Sequence, residues 1–146
     1  MENYNVLVLM KKDSSTGFLT DTVDSYTIAA GIEYIEGMYF QEKDDSDFVF
    51  MTLTTKDIED WEYYGIYDLY NEDIYDELAA ELIDGSGDYN PKWILKLKYL
   101  REREEMEQRL NRIIELHISE LERIKPLLME HRAKYMEMME AAEAED

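Results

Sequence analysis

The sequence predicts an α+β fold: a small antiparallel, hairpin-rich sheet with acidic amphipathic helices, followed by a long kinked C-terminal helix of coiled-coil character. Three observations predict it. Two aromatic and β-branched runs, "MYFQE" and "FVFMTLT", flank the polar turn "KDDSD", the pattern of an antiparallel hairpin. Residues 57–90 place apolar and acidic side chains at helical spacing. From Lys92 onward there is no glycine, and apolar or ring residues recur every three or four positions.

Taken in order, "NYNVLVLM" (Asn3 to Met10) reads as a buried strand, "KKDSSTG" as a turn and "FLTDTV" as a second strand. "SYTIAAGIEYIEG" reads as a short helix opened by Ser25 and ended by Gly37, with a strand pair bent at Gly31 as the alternative. After the hairpin, Thr54 is positioned to cap a helix whose third residue is Asp57. That helix aligns Ile58, Trp61 and Leu69, widened by Tyr63, Ile66, Tyr67 and Tyr70. Asn71 ends it or caps a second helix, in which Ile74, Tyr75, Leu78, Ala79, Leu82 and Ile83 form one face. Glu72, Asp73, Asp76, Glu77, Glu81 and Asp84 form the other. Gly85 stands where a left-handed terminator belongs.

Asn90 as cap and Pro91 at the first helical position open the last segment. Its seam runs through Leu110, Ile113, His117, Leu121, Ile124, Leu128, His131 and Tyr135, with a kink expected at Pro126. Unbroken, this helix would reach ~80 Å, whereas a 90-residue domain spans about 25–30 Å. The seam is therefore expected to meet a second copy of the chain, with a fold-back on itself or a foreign helix as alternatives. The organisation that follows is an acidic α+β domain over residues 1–90, a helical segment over 91–146, and a homodimer.

The charge follows the same division. Residues 1–90 carry 22 acids and 4 bases, residues 91–146 carry 13 and 11, and the formal net charge is −20. Such a chain repels nucleic acid and anionic membrane and attracts basic surfaces. The seven bases from Lys92 to Arg112 are expected to pair internally rather than to grip nucleic acid, because the charge beside them opposes counterion-release binding. No apolar stretch approaches the ~18–20 residues of a membrane span, and no signal peptide opens the sequence, so the expected location is cytoplasmic.

Catalysis is hard to build from these residues. There is no cysteine, which removes thiol chemistry and Cys-ligated zinc. His117 and His131 are fourteen residues apart on one seam and lack the Glu-x-x-His and His-Glu-x-x-His patterns. "GSG" at Gly85–Gly87 lacks a P-loop lysine, and "DGSGDYNPKWIL" lacks the Gly and Glu of a calcium loop. No catalytic, cofactor or metal site is assigned.

The segment from Asp57 to Asn90 holds twelve acids, seven aromatics and no Lys, Arg or His. Carboxylates three or four residues apart on a helix stand ~5–6 Å from each other, close to the pitch of a phosphate backbone. The expectation is a stoichiometric inhibitor that mimics nucleic acid toward a basic nucleic-acid-binding protein, in the charge style of phage anti-defence proteins. Asp60, Asp73, Asp76, Glu77, Glu81 and Asp84 would supply charge, and Trp61, Tyr63, Tyr67, Tyr70 and Tyr75 anchors. The alternative is a homo-oligomeric coiled-coil adaptor that recognises its partner through the seam.

Overall fold

The computed structural model describes residues 5–43, 46–56, 58–83 and 91–144. The fold is α+β. Six strands run β1 (Val6–Lys12), β2 (Leu19–Thr27), β3 (Ile35–Lys43), β4 (Ser46–Thr54), β5 (Glu81–Ile83) and β6 (Lys92–Lys98). Three α-helices follow the chain as α1 (Asp60–Leu69), α2 (Arg103–Glu130) and α3 (Arg132–Ala144). The sheet order is β2-β1-β3-β4-β6-β5. Every pair is antiparallel except β1 with β3, so the sheet is mixed rather than wholly antiparallel.

The predicted hairpin is β3–β4, paired from Ile35 opposite Leu53 to Lys43 opposite Ser46. Alternation decides its two faces. Met38, Phe40, Val49, Met51 and Leu53 point into the core. Tyr39 and Phe50 face the other way and stack on one another with ring centroids 5.0 Å apart.

The stretch "KWILKLK", expected as the first turns of the terminal helix, is instead strand β6 between β4 and β5. Its period of two overrides the Asn-Pro start signal: Trp93, Leu95 and Leu97 are buried while Lys92, Ile94, Lys96 and Lys98 line the opposite face. The boundary expected after residue 90 thus falls within the sheet, and residues 91–144 open with a strand of that sheet before the helices. Asn90, Gly85 and the calcium-like stretch lie outside the described residues.

Two other segments differ from expectation. The helix expected over residues 25–37 is the end of β2, a single 3₁₀ turn (Ile32–Tyr34) and the start of β3, with Gly31 at φ 85°. A Cβ at Gly31 would collide with Ile114 and Ile118, so the bend lies directly against α2. The second acidic helix is a 3₁₀ helix (Glu72–Leu78) that stops at left-handed Ala79, after which β5 pairs with β6. Pairing Leu82 with Leu95 extends the sheet, which continued helix would not have done. Thr54 is a strand residue. The cap of α1 is Glu59, whose carboxylate takes an N–H from the first turn while Glu62 accepts the Glu59 N–H at 3.0 Å.

The helices bury their side chains on one face of the sheet. Helix α2 spans 28 residues, ~42 Å, about half the expected rod. The helix continues past Pro126, which is exposed, and ends at His131, which leaves helical geometry at φ −108°. The turn brings α3 against α1: the Tyr135 hydroxyl donates to Asp68 at 2.9 Å, and a Cβ on Gly65 would strike Leu128 and Tyr135.

The seam is therefore closed within one chain. Leu110, Ile113, His117, Ile124, Leu128 and Tyr135 are at most 4% exposed, and Leu121 is half-buried. Only His131 is exposed. The dimer expectation loses the observation it rested on, because the apolar stripe meets the sheet and α1 instead of a second copy. The length argument failed because the segment supplies both a strand and the helices that cover it.

Candidate interaction surface

The acidic segment of residues 60–81 wraps from α1 through the 3₁₀ helix to β5. Asp60, Glu72, Asp73, Asp76, Glu77 and Glu81 are all exposed. Among the described residues only Glu77 of these has an ion-pair partner, Arg112 at 3.1 Å. None of the others forms an ion pair with a described residue. Asp73 and Asp76 stand one 3₁₀ turn apart, ~6 Å along the axis. Asp84 lies outside the described residues.

The rings divide differently from the expected anchor set. Trp61, Tyr70 and Tyr75 are 1–6% exposed and belong to the core. Tyr63 and Tyr67 are half-buried and pack edge to face at 4.9 Å. The Tyr67 hydroxyl also accepts the Lys92 N–H at 3.0 Å, tying α1 to β6. Tyr63, Tyr64 and Tyr67 are thus partly open to solvent, while Trp61, Tyr70 and Tyr75 are buried. Sequence spacing alone could not sort them, because both groups lie on one broad helical face.

What holds the segment down is a polar chain beneath it. His117 Nε2 lies 2.8 Å from the Thr54 carbonyl, which can only accept, so Nε2 carries the proton and Nδ1 accepts from the Tyr70 hydroxyl at 2.8 Å. The Tyr75 hydroxyl in turn donates to Tyr70. Burial keeps His117 neutral, lowering its pKa to about 4 against the Thr54 carbonyl, which favours the charged ring. Burial also pushes Tyr70 and Tyr75 well above the ordinary phenol range. His117 is a core residue with both nitrogens engaged; its neighbours are Tyr34, Tyr70 and Trp93 rings.

Glu120 performs the same task at the joint between α1 and the 3₁₀ helix. It accepts the Asn71 N–H at 2.6 Å and two guanidinium bonds from Arg123 at 2.8 and 2.7 Å. Burial pushes its carboxyl up, but Arg123 and the Asn71 N–H outweigh that and hold it below its ordinary range. Arg123 also donates to the Leu69 carbonyl at 2.9 Å, satisfying the end of α1.

Several of the bases expected to pair internally do so: Arg103 meets Glu107, Arg112 meets Glu77 and Glu115, and Lys92 meets Glu36. Arg103 bonds the Ser25 carbonyl and sits near Asp24, and Arg109 reaches the Leu78 carbonyl. Lys96 lies over the Phe48 ring at 4.2 Å and Lys12 over Tyr39 at 4.5 Å, on the sheet face opposite the helices. That face also carries Val6 and Val8, 46% and 45% exposed. Its signal was present in the alternation of the strands, but the helical reading of residues 92–98 hid its lysines.

Among the described residues no group of three His, Asp or Glu is placed to hold a metal ion. None of the described helices is long and apolar enough to cross a membrane. No curated protein and no solved structure matches the chain. A family model does match, over residues 1–136, and the chain belongs to that family, a family of unknown function (DUF6762).

Proposed function

We propose that the protein is a non-enzymatic binding protein whose acidic segment docks onto the basic groove of a nucleic-acid-handling protein and competes there with the nucleic acid. One observation carries this reading: Asp60, Glu72, Asp73 and Asp76 are exposed and form no ion pair among the described residues. Leaving these charges unneutralised raises self-repulsion in a chain of net charge −20, and a cationic partner would relieve it. The segment is also rigidly seated, by the Tyr75–Tyr70–His117 chain and by Glu120, so little ordering would accompany binding.

The test is capture from cell extract at low salt, followed by elution either with salt or with duplex DNA. The expected result is a basic, nucleic-acid-associated protein displaced by both. A partner that resists salt and DNA alike would set the reading aside. The adaptor alternative has no comparable support, because its recognition seam is buried within the chain.

A further inference from the structure

Alternation gives each strand a second face, and the register identifies its residues. Met10 stands beside Tyr39, Tyr39 opposite Phe50, and Phe50 opposite Lys96. Two residues along, Gly37 pairs with Thr52 and Thr52 with Ile94, and Val8 shares the face with Met10. Val8, Met10, Tyr39, Phe50 and Ile94 neither belong to the core nor pack against it. Val8 is 45% exposed.

This face has relief. Tyr39 and Phe50 stack into a ridge with ring centroids 5.0 Å apart. Beside the ridge, Gly37 and Thr52 form a trough, and a Cβ on Gly37 would meet nothing within 4 Å. Ridge and trough cross the same two strands, ~7 Å apart. Such a surface is complementary to itself. A two-fold axis perpendicular to the strands, running between ridge and trough, sets each copy's ridge into the other's trough: Tyr39 over Gly37 and Phe50 over Thr52.

Charge and area favour the same occupant. From β1 to β6 neither row carries a carboxylate, so contact buries no unpaired acid in a chain of net charge −20. The rings are not open platforms for nucleic-acid bases, because Lys12 lies over Tyr39 at 4.5 Å and Lys96 over Phe48 at 4.2 Å. Six strands ~4.8 Å apart and ~20 Å long offer roughly 500 Å² in plan. Two copies would then bury about 1,000 Å², the least that a specific interface takes.

We propose that this open sheet face is a self-association surface on which two copies of the chain pack as a homodimer. The contact is independent of the acidic segment, since Glu72, Asp73 and Asp76 lie in the 3₁₀ helix and outside the sheet.

Sedimentation equilibrium of the full chain tests it. The mass is expected to rise from 17.4 kDa toward twice that value across the micromolar range, and more readily as added salt screens the repulsion between copies. Gly37→Leu fills the trough where the fold has room for a side chain. Val8→Lys adds a cation at an exposed position. Each is expected to weaken association about tenfold or more, with far-UV circular dichroism unchanged. A mass of 17.4 kDa at every concentration and salt would overturn the homodimer and leave the face to a different occupant. Association undiminished in both variants would put the contact elsewhere and overturn this surface.

Discussion

Two stretches of this chain carry the marks of an interaction surface: the seam of α2 and α3, and the acidic segment from α1 to β5. The first is closed within the molecule. The second is open. The difference is physical. A periodic apolar stripe states that a face is covered but not by what, and here the cover is the sheet and α1. Unbalanced charge is harder to hide, because burying an unpaired carboxylate is prohibitively unfavourable. Of the two signals, charge was the better guide to what stays on the surface.

The comparison breaks first at the seam. Leu110 is fully buried, and Leu110→Ala should destabilise the chain by about 2–5 kcal/mol, read by urea unfolding, with sedimentation mass unchanged. A change in mass instead would restore the interchain seam. Gly65→Ala probes the far end of the seam, where it meets α1. Its Cβ would collide with Leu128 and the pinned Tyr135 ring, at a cost of about 1–3 kcal/mol.

Acid probes the layer between the two regions. His117 titrates near 6.5 when unfolded and about 4 when folded. The unfolded chain therefore binds more protons between those values, and stability falls as pH drops from 6.5 toward 4. The loss is about 3 kcal/mol across that window at ~1.4 kcal/mol per unit. The carboxylates held low, such as Glu120, add their own loss only below their unfolded pKa. Unfolding followed from pH 7 to pH 4.5 isolates the histidine, and His117→Leu should remove the slope while lowering stability at pH 7.

The acidic face should respond oppositely to the seam. Replacing Glu72, Asp73 and Asp76 by Lys touches no buried contact and no ion pair among the described residues. It should leave stability within about 0.5 kcal/mol and abolish partner capture. The smallest effect belongs to Ala79, held at φ 52°. Ala79→Gly should stabilise by up to about 1 kcal/mol, because left-handed geometry strains any Cβ, and differential scanning calorimetry would read it.

The hairpin, the first acidic helix and the charge division were legible because each rests on local pattern. The β3–β4 runs alternate, and α1 repeats at 3.6. Residues 92–98 were misread because Asn90-Pro91 is a helix start only where a helix follows, and "KWILKLK" satisfies a strand better. Residues 72–83 carry a helical pattern, yet they divide between a 3₁₀ turn and β5 once β6 offers a pairing edge. How deeply a tyrosine is buried was not legible: Tyr67 and Tyr70 are three residues apart and both pack on Trp93, yet one is half-buried and the other buried.

The most direct measurement compares the wild-type chain with the Glu72→Lys, Asp73→Lys, Asp76→Lys variant as bait in quantitative capture from extract. The expected result is that a basic, DNA-displaceable protein held by the wild type is absent from the variant, with both baits equally folded by circular dichroism. Retention of the same proteins by both baits would contradict the claim that these carboxylates do the recognising.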